Sequence, residues 1–327
     1  MRKISIIIPV YNGEEYIYRC WNSLLKQTCD NWEAIMIDDG STDNSHLILK
    51  EIQEKYPNKC KIIHQDNQGQ FAARKCGILH ATGEYCMFLD IDDTFTEDAV
   101  KTIIDVIERK ETDIVIFEGL RVVNNEKRLI WEDYKDQETY FNEDNKSILL
   151  KDILVGKRLN NLCFKAIKKS VCIEIPQVDD VDKVRVEEDL LMQLSWIDNA
   201  KNISYIPNKL YLYYFNESSV TNNFVPDRYI AAESVNKLLL YYSGKWNMNM
   251  YIDEINQRYY IEVCESIRQL KIYRLSIKEK IKYIIKVGND KYFVKKYDSE
   301  KINANIKRKI LLFFLRHKFW PVILLVI

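Results

Sequence analysis

Short apolar runs alternate with helix-period segments through the first 117 residues of this chain, and few architectures accept that order. Residues 4–9 read as a strand. Asn12-Gly13-Glu14-Glu15 then opens a helix with capping-box spacing, an asparagine followed three residues later by glutamate. Ile17, Cys20, Leu24 and Leu25 keep its period. Ala34-Ile35-Met36-Ile37 is a second strand ending at Asp38, and a helix carrying Leu47, Ile48 and Ile52 runs to Tyr56-Pro57. Strands at 61–65, 85–89 and 113–117 and helices at 71–81 and 98–109 complete the series. The repeated β-α-β order predicts an α/β fold with a mostly parallel sheet and helices on both faces.

Two acidic clusters sit at the ends of these strands: Asp38-Asp39-Gly40-Ser41-Thr42-Asp43 and Asp90-Ile91-Asp92-Asp93. Carboxylates at the carboxyl ends of neighbouring parallel strands converge on the crevice where open α/β sheets bind ligands. Acids gathered there repel one another and need a cation or a donor-rich ligand. A hard divalent metal bridging to a diphosphate supplies the first, and a nucleoside the second. The pattern therefore points to a nucleotide-sugar site. Simpler roles compete: Asp-Gly-Ser-Thr also makes turns and caps the following helix, and the second cluster could cap the helix near Asp98.

Other classes lose ground. Formal net charge is +0, so no global basic field argues for nucleic acid. Eight cysteines are scattered with no Cys-x-x-Cys pair, as expected of reduced thiols in a cytoplasmic protein. His46, His64, His80 and His317 show no metal-ligand spacing and read as structural or surface residues. No Gly-x-Gly-x-x-Gly follows a strand, and a Walker-type loop is missing. The first apolar run is too short for a signal peptide and reads as the first strand.

Beyond residue 120 the pattern loosens. A hairpin around Asn124-Asn125 and a charged, loop-like stretch to about Asn145 are expected, then a helix at 147–155, a strand at 162–167 and a helix at 188–197. Lys-, Tyr- and Ile-rich helices follow. The tail pairs two apolar runs, 310–315 and 321–327, around Arg316-His317-Lys318. A spanning helix needs about 20 mostly apolar residues, so a central cationic group argues against one. An interfacial helix is expected, with Lys307, Arg308, Lys309, Arg316 and Lys318 at anionic headgroups; the alternative is a helix docked on the protein's own core.

Ser5-Ile6-Ile7-Ile8-Pro9-Val10-Tyr11-Asn12, the Asp38–Asp43 cluster, Asn67-Gln68-Gly69, Ala73-Arg74, Gly83-Glu84-Tyr85 and Phe88-Leu89 with the Asp90–Asp93 cluster follow one another in register. Together they resemble the family-2 glycosyltransferases, inverting enzymes of the GT-A fold. The likeness is dense over roughly the first hundred residues, thinner to about Thr221, and absent beyond.

The resemblance implies a donor site built from Pro9, Tyr11, Asn12, Asp38, Asp39, Arg74, Asp90 and Asp92. Tyr11 can lie against a planar base. Asp39 is expected to accept the imide N–H of uracil, which favours UDP. Asp90-Ile91-Asp92-Asp93 is the D-x-D element, with Asp92 and Asp93 as ligands of Mn2+ or Mg2+ and Asp90 in support. Arg74 could aim its guanidinium at diphosphate or base, although Lys75 stands where the family usually has asparagine. Glu187-Glu188-Asp189 resembles the family's Glu-Asp motif. Asp189 is the implied base and Glu188 its neighbour, while a helix's first turn also favours acids. Tyr211 to Thr221 resembles an aromatic segment ending Ser-Val-Thr, with Phe215 or Asn216 where an arginine is common.

The expected organisation is a GT-A domain over 1–224, divided into a nucleotide-sugar part (1–117) and an acceptor part (118–224). A helical appendage (225–305) and the tail (306–327) follow. The expected activity is metal-dependent transfer of a sugar to a hydroxyl of a glycan or lipid-linked acceptor, at the inner face of the cell membrane. Two rivals remain. A sugar-phosphate nucleotidyltransferase would carry a Gly-rich loop after the first strand, which Pro9-Val10-Tyr11-Asn12-Gly13 is not. A non-catalytic subunit of the same fold is the other.

Overall fold

The computed structural model describes residues 3–124, 126–130, 132, 134–156, 158–172, 187–216, 224–300 and 302–326. They form two compact units, one from residues within 1–149, 160–176 and 192–216, the other from residues within 150–159, 177–191 and 217–327.

In the first unit the strand-helix alternation is realised as β1 (Ile4–Val10), α1 (Ile17–Leu25), β2 (Trp32–Asp39), α2 (Ser45–Lys55), β3 (Cys60–Gln65), α3 (Gln70–His80) and β4 (Tyr85–Phe88). All seven residues of β1 are buried, as a near-continuous apolar run in a central parallel strand should be. β5 (Thr94–Phe95), α4 (Ala99–Lys110), β6 (Ile114–Val123), β7 (Glu126–Leu129), β8 (Thr139–Phe141), α5 (Lys146–Val155), β9 (Lys165–Lys168), α6 (Glu188–Asn199) and β10 (Ile203–Tyr214) follow, α5 and α6 each lying partly in either unit. The sheet order is β3-β2-β1-β4-β9-β6-β10-β5, with β7 on β6 and β8 on β10.

The expected α/β architecture is present, with one refinement. β3, β2, β1 and β4 are mutually parallel, but β9 runs antiparallel to both neighbours, β4 and β6, so the far half of the sheet is mixed. The 120–145 stretch is also more regular than its charge suggested. β7 returns against β6 as the expected hairpin, its turn entered by Asn124 at φ 51, while Asn125 lies outside the described residues. β8 pairs with β10 through Phe141 and Ile203. Residues 162–164, read as strand, form a 3-10 turn ahead of β9.

α3 packs directly on the sheet because position 77 is glycine. A Cβ there would lie 2.4 Å from Ile7 Cγ2 and 2.9 Å from Ile37 Cδ1. The capping-box reading at Asn12 fails. Asn12 takes a left-handed φ of 49°, and its side-chain oxygen accepts from Thr42 N at 2.8 Å and Thr42 Oγ1 at 3.2 Å. With that acceptor engaged it cannot cap, and α1 starts at Ile17 after Tyr16, which makes no side-chain cap.

The second unit is helical: α7 (Arg228–Lys245), α8 (Ile252–Ile272), α9 (Ile277–Gly288), α10 (Lys291–Ser299), α11 (Ile306–Arg316) and α12 (Trp320–Val326). Ser276 and Glu279 form a reciprocal capping box at the start of α9. Tyr260, Val263, Cys264 and Ile267 of α8 share a core with Ile284 and Val287 of α9, Phe293 of α10, Leu311, Leu312 and Leu315 of α11, and Ile323 of α12. The tail is therefore two short helices docked by one face, not one interfacial helix. Ile306, Phe313 and Phe319 remain exposed beside Lys307, Lys309 and Lys318. No helix among the described residues is long and apolar enough to cross a membrane.

Candidate active site

Parallel pairing of β1 with β2 and β4 sets Ile7 opposite both Ile35 and Phe88, so the three strands end along one edge of the sheet. Tyr11 and Asn12 follow β1, Asp38 and Asp39 close β2, and Asp90 lies just past β4. The sequence-predicted donor residues are thus gathered at the edge where such sheets bind ligands.

Pro9 is buried within β1, pairing with Ile37, whereas Tyr11 is 51% exposed with its ring free to meet a planar group. Gly40 supports the turn after β2: its φ is +73°, and a Cβ would meet Asn67 N at 2.8 Å. Asp39 is buried. Gln65 Nε2 and Gln68 N donate to its Oδ1 at 2.7 and 2.9 Å, and Gly69 N donates to Oδ2 at 2.8 Å. It therefore fixes the 65–69 loop from which α3, and Arg74 with it, departs.

Asp38 is fully buried. Ser41 N donates to Oδ1 at 3.0 Å, and the Nδ1 atoms of His46 and His64 lie 3.2 and 3.0 Å from Oδ2. Burial alone would push its pKa up, but the hydrogen bonds from Ser41 and His64 outweigh that and hold it below the ordinary value. The structure thus brings together two histidines whose spacing carried no signal. His64 is the cross-strand neighbour of Asp38, and His46 lies on α2.

The second cluster divides by environment. Asp90 is 31% exposed and pairs through Oδ1 with Arg74 Nη2 at 3.0 Å and Gln70 Nε2 at 2.7 Å; Cys163 Sγ approaches Oδ2 at 3.4 Å. Arg74 is itself 2% exposed, so its guanidinium is a buried cation beside the acids. Asp92 is half-buried, with Asn216 Nδ2 at 3.3 Å from Oδ2. Asp93 turns inward: it is 1% exposed, accepting from Tyr211 Oη at 2.6 Å and Tyr214 N at 2.8 Å. Burial, then the charges of Asp90 and Asp92, push Asp93 up to about 8. Burial and Asp90 likewise raise Asp92. Two acids raised by burial and by a neighbouring carboxylate mark a site short of positive charge.

Several contributors had no local signal. Arg19 of α1 donates to the Asp92 carbonyl and lies 4.1 Å over the Tyr214 ring. Gln70 and Cys163 meet Asp90 only in three dimensions. Tyr211 was legible as part of an aromatic segment, but not as the donor to Asp93. The Ser218-Ser219-Val220-Thr221 part of that segment lies outside the described residues.

Glu188 and Asp189 open α6 and belong to the second unit, with Leu190 and Leu191 buried behind them. Glu187, just before, has a φ of 62° and accepts from Arg258 Nη2 at 3.0 Å. Arg258 also donates to the Gly156 carbonyl at 3.0 Å.

A parallel half-sheet extended by mixed strands, with acids at its carboxyl edge, defines a GT-A type of nucleotide-binding fold. The chain belongs to glycosyl transferase family 2, whose family model matches residues 5–175. Among relatives, it is 36% identical over 148 residues to a glycosyltransferase of Nostoc, covering 45% of each chain. It is 29% identical over 244 residues to the minor teichoic acid biosynthesis protein GgaA of Bacillus subtilis, covering 64% of this chain and 53% of that one. The chain thus spans about half the length of either relative. In fold it is similar to residues 1–349 of S. aureus TarS, solved in complex with UDP, with a TM-score of 0.69 and 19% identity over 98% of this chain and 88% of that one.

Proposed function

We propose that this chain is an inverting glycosyltransferase that moves a sugar from a UDP-sugar, with a divalent metal, to a hydroxyl of a glycan or lipid-linked acceptor in cell-surface polysaccharide synthesis. The observation that carries the reading is the cluster of Asp90, Asp92 and Asp93, beside the buried Arg74, on the same sheet edge as Tyr11 and Asp39; burial and then neighbouring carboxylates raise Asp92 and Asp93. A site built this way favours a ligand that brings cations and hydrogen-bond donors together.

Tyr11 stacks on the base. Asp39 has used three of about four lone-pair positions and keeps one for the uracil imide. Asp92 and Asp90, rather than the Asp92 and Asp93 expected from the sequence, offer hard oxygen donors that solvent can reach, which fits Mg2+ or Mn2+, because Asp93 is buried. Asp93, buried and bonded to Tyr211 Oη and Tyr214 N, supports from behind and holds β10 in place. A metal held by Asp92 and Asp90 would supply positive charge for the diphosphate leaving group. Arg74 pairs with Asp90 and holds its carboxylate in orientation. Asp189 takes the proton from the acceptor hydroxyl, and Glu188 contacts the acceptor. The TarS complex with UDP and the relative named for teichoic acid synthesis support the donor and acceptor classes.

The exposed apolar and lysine face of α11 and α12 suits an anionic membrane surface at which a lipid-linked acceptor would be met. The test is UDP release from a panel of UDP-sugars, with and without EDTA, in the wild type and in Asp189→Asn. Loss of release with UDP binding retained is expected. Full release in Asp189→Asn would remove that residue from the role of base.

A further inference from the structure

We infer that Asp38, His46 and His64 form a second cation site, distinct from the D-x-D carboxylates and suited to a zinc-class divalent metal. Three elements supply one ligand each: β2 gives the carboxylate, α2 and β3 the imidazoles. Both Nδ1 atoms aim at the same carboxylate oxygen, at 3.2 and 3.0 Å, and all three ligand atoms lie within 4.8 Å of one another. Ligands about 2.1 Å from a shared zinc, at angles near or a little over a right angle, have that N···O separation.

The donor chemistry separates this site from the other one. Imidazole nitrogen selects zinc-class metals, whereas the all-oxygen set at Asp90 and Asp92 suits magnesium or manganese. Two imidazoles and one carboxylate leave coordination positions open to water. The carboxylate is preorganised: Asp38 is fully buried, and Ser41 N holds its other oxygen. The imidazoles are accessible, with side chains 53% and 55% exposed, so an ion can enter from solvent without opening the fold. Neither Nε2 has a hydrogen-bond partner among the described residues, so both Nδ1 atoms can turn to the metal without breaking a second bond.

The competing arrangement is metal-free, with both rings as Nδ1–H tautomers donating to Asp38. A bound ion would replace those two protons and tie α2 and β3 to the end of β2. Asp39 and the 65–69 loop adjoin that point, so occupancy would stiffen the neighbouring turn.

Cobalt(II) is the probe, because its visible absorption reports nitrogen ligation in a way that Mn2+ or Mg2+ cannot. The chelator-stripped Asp92→Ala chain is titrated with Co2+ and then with Zn2+. One equivalent of Co2+ at micromolar concentration is expected, with a low-coordinate visible spectrum displaced by Zn2+. Groups that only orient a metal's ligands are worth roughly 10–100-fold in metal affinity, so His46→Ala and His64→Ala, which remove a ligand, should each weaken binding at least about a hundredfold. Cys76 Sγ, 3.7 Å from His80 Nδ1, makes a competing pair of soft ligands, and Cys76→Ser should leave the spectrum unchanged. Both histidine variants alter exposed side chains, and thermal melting checks that they fold. Binding only at millimolar Co2+, a spectrum that survives both histidine changes, or one that disappears with Cys76→Ser would overturn the assignment.

Discussion

Replacing Arg74 by methionine keeps most of its volume and removes a buried cation that pairs with Asp90. Its Nη2 lies 3.0 Å from Asp90 Oδ1, which puts the charge centres about 4 Å apart; at an effective dielectric near 20 their attraction is about 4 kcal/mol. Asp90 is 31% exposed, and screening there reduces the pair to about 2 kcal/mol. The variant also leaves Asp90 facing Asp92 and Asp93, both already raised in its presence. Arg74→Met should therefore destabilise the metal-free protein by about 3 kcal/mol, toward the lower end for a broken buried pair. A double-mutant cycle with Asp90→Asn, read by urea unfolding in EDTA at neutral pH, should return a coupling of about 2 kcal/mol. Manganese should stabilise Arg74→Met more than the wild type, since it replaces the missing charge. A coupling below about 0.5 kcal/mol, or equal stabilisation of both proteins by manganese, would refute this account of the acid cluster.

Gly77→Ala places a methyl 2.4 Å from Ile7 Cγ2 and should cost about 1–3 kcal/mol in thermal or urea unfolding, by pushing α3 off the sheet. Burial pushes the Glu33 carboxyl up, but hydrogen bonds from Lys3, Ser5 and Thr82 prevail and hold it at about 2, against an ordinary 4.5. A depressed acid contributes above its unfolded pKa and loses that contribution as pH falls toward its folded one. Stability should drop by about 1–2 kcal/mol between pH 4.5 and 2, after allowance for screening at the exposed Lys3, and Glu33→Gln should flatten that part of the profile. Arg258→Met removes the contact that fixes Glu187 ahead of Asp189 and should slow transfer about tenfold without changing UDP affinity. Phe313→Ser with Phe319→Ser should reduce co-sedimentation with anionic vesicles while leaving the buried Leu311, Leu312 and Leu315 in place.

The parallel half of the fold was legible because its signals are local. β1 to β4 are short apolar runs separated by helical periods, and each acid cluster sits at a strand end. The far half was harder. β10 begins at Ile203, upstream of the aromatic run that drew attention, and β9 enters the sheet antiparallel, which no period in its four residues encodes. Asn12-Gly13-Glu14-Glu15 had cap spacing, yet Thr42 competed for the asparagine oxygen, and tertiary contact prevailed over local pattern. Within the site, residue types were readable but their environments were not. Asp92 and Asp93 are adjacent in sequence, and only the Tyr211 and Tyr214 contacts show that one faces inward. The tail's apolar residues were visible, but how they divide between a docked face and an exposed one depends on α8 and α9.

Calorimetric titration of UDP into the full chain, with manganese and then with EDTA, in the wild type and in Asp92→Ala, tests the donor site most directly. The account predicts binding that requires manganese and is lost in Asp92→Ala. UDP binding of equal strength in EDTA and in Asp92→Ala, or no binding by the wild type with manganese present, would contradict it.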